Sequence, residues 1–458
     1  MLAVIRTTVL IAAFAGSLAI SSPAIVCADP RQSQAEDPMG TEPVEGLVQT
    51  AQGAAASGGS GIIIGGPDPG ATVPFSLNGR WIVVEASIDD GAPRPFMFDT
   101  GGLNAVTPDV AKELGSPVVA DTNVAGVGSS LVAASIIEGQ KITIGTAVLS
   151  DQKIRVFDLP NAFLDRGARP RLAGMIGSEV LSKYAVRINY QKRLLTLMSG
   201  NQFTPPANSI VVPLRIRLTK EDGLISATLP AEIENIPAEF TLDTGSAGQI
   251  SLSGKFENEH RLLDRYPKFI ELLTVGGIGG YVKSDIALGN HLKFAGIDLS
   301  DPVVSRPADF RAGGEWPVRW HDLGEGVRRE VLKTGMADGL LGAGVLSHFV
   351  VTINYQTQRA YFEPLGQFKL ATALFGLGLS VDKPTHDSFK VIDILPKSPA
   401  EGAGIGVGDR IVAVDGKPAT DLSLSDFIDL TVDPRLKRAI LERADGKRFE
   451  LPIVQYLP

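Results

Sequence analysis

From residue 74 onward the apolar positions fall in short runs and alternations, as in RWIVVEASI (80–88), KITIG (141–145), SIVVPLRIRL (209–218) and LISATLPAEI (224–233). Gly, Pro, Asn and Asp interrupt them, and alternation between such breakers predicts β-strands. Long runs with apolar residues at helical spacing, which would accompany a parallel α/β sheet, are missing, so the expected fold class is mainly β. Residues 29–73 read differently. They are rich in Ala, Gly, Ser, Pro and Glu, include AQGAAASGGSGIIIGGPDPG (51–70), and follow neither period. They are expected to form a flexible tether, either holding the folded part off a membrane or wall or serving as an idle leader.

Residues 1–28 have the layout of an export signal: Arg6, an apolar run from Val9 to about Ile20, then SSPAIVCA with cleavage expected near Ala28. The run is shorter than the roughly 18–20 residues needed to span a bilayer. An uncleaved anchor and a lipoprotein at Cys27 are the rival readings, the latter opposed by bulky Val26. The expected location is therefore outside the cytoplasm, periplasmic or extracellular. Cys27 is the only cysteine, so cleavage leaves no thiol for a nucleophile, a thiolate metal site or a disulfide.

The length of 458 residues, 44% of them hydrophobic, allows more than one core. A net charge of −8 comes from scattered charges, with no basic stripe to follow a phosphate backbone, which argues against nucleic acid. The histidines His260, His291, His321, His348 and His386 show no ligand spacing such as HExxH. No GxSxG elbow or phosphate-cradling loop occurs, so neither a metal nor another cofactor is implied.

The blocks GMIGSEVLSKYAVRINYQ (174–191) and GLLGAGVLSHFVVTINYQ (339–356) align without a gap. The chain therefore contains an internal duplication. His348 stands opposite Lys183 in this repeat and is expected at an exposed helix position. Upstream of each block an Asp-Thr-Gly ends an apolar strand, in FMFDTGG (96–102) and FTLDTGS (240–246). Between motif and block lies a glycine-rich segment, AGVGS (125–129) and GGIGG (276–280).

A lone carboxylate at the end of a buried strand is costly, but two within hydrogen-bonding distance can share one proton, because like charges that close cannot both ionise. The pair then holds one acid and one base. The base can deprotonate a water between the carboxyls while the acid protonates the carbonyl oxygen under attack. This chemistry needs two acids related by approximate twofold symmetry, and the duplication supplies Asp99 and Asp243. Thr100 and Thr244 carry hydroxyls able to bond across the axis, and Gly101 and Gly245 allow tight turns and close backbone approach.

The ordered set of Asp-Thr-Gly, glycine-rich segment, and two apolar residues plus Gly (MIG, 175–177; LLG, 340–342) occurs twice over residues 74–365. It resembles the retropepsin-type aspartic proteases, in two fused copies. The resemblance implies a closed β lobe per copy (74–205 and 206–366) and a polypeptide cleft between the lobes. It also implies Asp99 and Asp243 as the catalytic dyad, supported by Thr100, Gly101, Thr244, Gly245 and Ser246. Glycine-hinged flaps are implied at Gly126 and Gly128 and at Gly276, Gly277, Gly279 and Gly280. Gly102 follows the first motif where the family has Ala, Ser or Thr, so the first lobe is expected to lack one supporting hydrogen bond. The second copy is longer, mostly through residues 305–335, read either as a lid or substrate subsite with Trp316 and Trp320 as apolar contacts or as a surface elaboration.

Residues 370–458 contain LFGLGLSV (374–381) and SPAEGAGIGVGDRIVAVDG (398–416) and resemble a PDZ-like α+β domain. The resemblance implies that the loop of Gly376, Leu377, Gly378 and Leu379 holds a peptide's terminal carboxylate through its N–H groups, while the adjacent strand takes the peptide as an extra strand. Packing on the protease as a purely structural module is the other reading. Two functions stay open: an exported aspartic endopeptidase whose PDZ-like domain recognises polypeptides, or a non-catalytic peptide-binding scaffold on a degenerate protease fold. The sequence leaves equally open whether the dyad forms within one chain or between two.

Overall fold

The computed structural model describes residues 8–9, 70–124, 126, 130–201, 203–218, 225–266, 269–307, 337–366, 370 and 374–457. Most of the expected export signal, the tether up to residue 69, Gly128, and the insertion beyond Pro307 with Trp316 and Trp320 lie outside the described residues.

Both copies start from the same hairpin. In the first, β1 (Trp81–Ile88) turns through Asp89 and Asp90, both at positive φ, into β2 (Arg94–Phe98). Two such residues match the right-handed twist of the paired strands. β3 (Ala105–Val106) precedes a long sheet segment, and β4 (Gly174–Ile176) returns parallel to β2 and antiparallel to β3. β5 (Tyr184–Asn189) then leaves the lobe.

In the second copy β6 (Ile225–Ile233) turns through Glu234 and Asn235, again at positive φ, into β7 (Ile236–Asp243). β8 (Ile250–Leu252) follows, then a hairpin of β9 (Phe269–Gly277) and β10 (Gly280–Leu288). β11 (Gly339–Gly342) runs parallel to β7 and antiparallel to β8, the relation β4 has to β2 and β3. β12 (Phe349–Asn354) is buried at every position, as a strand covered on both faces should be.

The two lobes meet where β5 pairs antiparallel with β12 at the centre of a six-stranded sheet. Arg187 lies opposite Thr352, the residue holding its own place in the repeated block. Pairing a position with its counterpart puts the pseudo-twofold axis through that pair.

Three sequence expectations need correction here. Ala71–Pro74 is an edge strand on Leu194–Leu197, so the tether expected over 29–73 does not extend past residue 70. SIVVPLRIRL is two strands in different sheets, Ile210–Pro213 and Arg215–Leu218: Leu214 N–H still bonds the Gln358 carbonyl at 2.8 Å beside the Pro213–Arg359 pair, and from Arg215 the chain pairs with Thr228 instead. His348 is also not exposed: the short helix Ala343–Leu346 ends before it, and the chain turns inward to β12. Burial and the nearby Arg80 guanidinium lower its pKa.

One hydrophobic core runs through both lobes, and a separate one fills the C-terminal domain around Phe389 and Phe427. That domain holds β13 (Leu379–Thr385) at the edge of its sheet and α1 (Leu424–Val432), whose first turn is closed by a capping box between Ser423 and Asp426.

Candidate active site

Asp99 directly follows β2 and Asp243 closes β7, so the parallel partners β4 and β11 decide where each acid sits. Asp99 N–H donates to the Ile176 carbonyl at 2.9 Å, and Asp243 stands opposite Gly342. The Asp99 Oδ1 accepts from Gly101 N–H at 2.9 Å and the Asp243 Oδ1 from Gly245 N–H at 2.8 Å. The structure brings the two acids of one chain together at one site. A Cβ on Gly245 would lie 2.2 Å from Asp99 Oδ2, and one on Gly101 would lie 2.5 Å from Asp243 Cγ. Each carboxyl therefore rests against the glycine of the opposite motif, where only glycine leaves room. Neither acid has any exposed surface.

Beneath the acids four hydrogen bonds cross between the lobes in two symmetric pairs. Thr100 N–H donates to Thr244 Oγ1 at 3.0 Å and Thr244 N–H to Thr100 Oγ1 at 3.1 Å. The hydroxyls in turn donate to the Leu242 and Phe98 carbonyls, at 2.9 and 3.1 Å. Every buried donor in this lattice finds an acceptor, which is the condition for a buried polar network to hold two bodies in one register. Ser246 supports Asp243 through its backbone N–H at 3.2 Å. The same N–H closes a turn on the Asp243 carbonyl at 3.3 Å, as Gly102 N–H does on the Asp99 carbonyl at 3.0 Å.

The flap expected at Gly276, Gly277, Gly279 and Gly280 is the β9–β10 hairpin. Gly277 pairs with Gly280, and Gly279 and Gly280 have φ of +90° and +103°. Gly276 faces Tyr281 across the hairpin, where a Cβ would meet the ring at 2.4 Å. The tip residue Ile278 is buried in an apolar cluster of first-lobe residues that includes Trp81, Met97, Phe163 and Met175. Gly126 of the first copy lies against it, with room for no Cβ 2.5 Å from the Ile278 carbonyl, and Ser130 N–H donates to the Gly279 carbonyl at 3.2 Å. The hairpin is thus closed onto the first lobe.

Residues 84–180 match the family model described as aspartyl protease. Residues 367–437 match that of the PDZ domain. A protein of Rhizobium meliloti (strain 1021) named as a zinc metalloprotease is 33% identical over 92 residues, covering 20% of this chain and 24% of that protein. The chain therefore matches about a quarter of that relative's length. Among the described residues no group of three or more His, Cys, Asp or Glu is placed to hold a metal ion. Two solved structures are similar at low scores: an aspartic proteinase from Irpex lacteus (13% identity, TM-score 0.38, 66% of this chain and 99% of that one) and basic 7S globulin from soybean (11%, 0.35, 65% and 95%).

In the PDZ domain, Gly376, Leu377, Gly378 and Leu379 line a groove between β13 and α1. Gly378 has φ +77°, and a Cβ there would meet Ser398 Cβ at 2.1 Å. A Cβ on Gly376 would make only ordinary contacts, the nearest with Val432 Cγ1 at 3.8 Å.

Sequence reasoning missed the residues that join these parts. Trp81 Nε1 donates to the Gly245 carbonyl at 3.1 Å, so the first lobe props the second motif. The corresponding strand of the second copy, ISATLPAEI, has no aromatic, and that break in the repeat is the signal that singles Trp81 out. Arg306 is buried between Glu257 Oε1 at 2.7 Å and Asp285 Oδ2 at 3.1 Å, tying the base of the flap to the helix Gly254–His260.

Proposed function

We propose that this protein is an exported aspartic endopeptidase in which Asp99 and Asp243 of one chain share a proton and activate water against a peptide carbonyl. One carboxylate takes the water proton, the neutral partner protonates the carbonyl oxygen, and the tetrahedral intermediate then collapses with proton transfer to the leaving amine. The observation that carries this reading is the reciprocal seating of the two carboxyls against Gly245 and Gly101, above the Thr100–Thr244 lattice. The substrate class is an extended polypeptide, and the PDZ groove is the recognition site for polypeptide ends. Export rests on the N-terminal pattern, and the mass of the secreted protein would place the cleavage near Ala28 or elsewhere.

The test uses an unfolded protein as substrate. Asp99→Asn and Asp243→Asn, each shown to be folded by circular dichroism, should each lose at least about 10²-fold in rate, the lower end of what a general acid or base supplies. Either variant retaining wild-type cleavage removes that residue from the dyad.

A further inference from the structure

The PDZ groove and the flap share a wall. Ile270, at the start of flap strand β9, lines the groove together with Leu374, Leu395, Val432 and Tyr456. From the other flap strand, Tyr281 Oη donates to Asp382 Oδ1 on β13 at 2.5 Å. The next residue of β13, Lys383, is fully buried and reaches back to the first lobe, donating to Asp165 Oδ1 at 3.0 Å and to the Ala419 carbonyl at 2.9 Å. Asp165 directly follows Phe163 and Leu164, which belong to the cluster that receives flap-tip residue Ile278. On the far side of the groove α1 rests on the first lobe, where Gly79 has no room for a Cβ 2.6 Å from Ser425 Oγ. One wall of the groove is therefore attached to the β9–β10 hairpin and the other to the first lobe.

The groove in this state holds only about 50 Å³ of free space. An apolar side chain seated in it packs directly against the Ile270 wall. Among the described residues β13 is an edge strand with no sheet partner on its outer side, the arrangement that accepts a peptide by strand addition. A ligand strand seated there lies against the Ile270 wall and beside Asp382, the residue of β13 that holds Tyr281.

We propose that the PDZ groove is the control site of the flap: a polypeptide C-terminus with an apolar last residue, bound on β13, releases the β9–β10 hairpin and admits substrate to the dyad. The activity part of this proposal rests on the endopeptidase reading above; the coupling of groove to hairpin does not. The peptide-free state is latent, with Ile278 buried in the first lobe and both acids covered. Tyr281 is the positioning residue that holds the latch.

The experiment uses the full chain and a short peptide ending in a free-carboxylate valine, with its C-terminally amidated form as control. Turnover of a separate amidated fluorogenic peptide and hydrogen exchange of residues 269–288 are read together. The free-carboxylate peptide should raise turnover by about 5-fold or more, within the usual range of allosteric couplings, and speed exchange in the hairpin; the amidated peptide should do neither. Tyr281→Phe should show raised turnover and faster hairpin exchange without peptide, and a smaller response to it. If no condition yields cleavage while the peptide still loosens the hairpin, the coupling stands and the endopeptidase reading falls. A peptide that fails to bind, that binds with hairpin exchange unchanged, or that slows it overturns the proposal.

Discussion

Thr100 and Thr244 exchange hydrogen bonds across the lobe boundary, each backbone N–H donating to the other's hydroxyl. Because both are buried, loss of one hydroxyl strands its partners. Thr100→Val keeps the shape but leaves the Thr244 N–H and the Leu242 carbonyl without this hydroxyl, and should cost about 1–3 kcal/mol. Thr100→Ser should cost far less. The double variant with Thr244→Val should lose less than the sum, as expected for one network. Urea unfolding checks all three, and a neutral Thr100→Val would mean that the lattice does not hold the lobes.

The two motif glycines are filled, in effect, by the opposite carboxyls. A Cβ at Gly245 would lie 2.2 Å from Asp99 Oδ2, so Gly245→Ala must push that carboxyl aside. A displacement near 1 Å is worth about 10²-fold in rate. The expected outcome is a folded variant with kcat reduced on that order, checked by steady-state kinetics beside circular dichroism.

Arg306 neutralises two carboxylates that have no exposed surface, Glu257 and Asp285. Removing one partner of a buried ion pair typically costs about 3–5 kcal/mol, and Arg306→Met should fall in that range. Burial raises the Glu257 pKa, opposed by the Leu263 N–H and Arg306. A carboxyl whose folded value lies above its unfolded one destabilises the fold above the folded value, and this penalty vanishes below the unfolded value. Without Arg306 the carboxyl rises further, so the variant's deficit relative to wild type should shrink as pH falls from neutral towards the unfolded value of about 4.3. Denaturant midpoints measured across that range test the sign.

The two Asp-Thr-Gly motifs were legible in the sequence because their turn hydrogen bonds are local. Asp99, Thr100 and Gly101 act through neighbours two residues away and through a twin that the duplication announces. The strands followed from alternation, although SIVVPLRIRL hid a change of sheet between Leu214 and Arg215. What sequence could not show are contacts between distant segments: Trp81 with Gly245, Tyr281 with Asp382, Lys383 with Asp165. Their partners lie more than a hundred residues away, and nothing in the spacing of either side names the other. Ile278 read as one apolar residue among hinge glycines, and only the closed hairpin shows it as a plug.

The pH dependence of kcat/KM on an unfolded polypeptide measures the shared proton most directly. One acid must be ionised and one neutral, so the profile should be bell-shaped, its two limbs belonging to the pair and not to Asp99 or Asp243 separately. Chelators should leave it unchanged. A rate that rises or falls monotonically with pH through a single ionisation, or a bell that survives in Asp99→Asn or Asp243→Asn, would contradict the dyad.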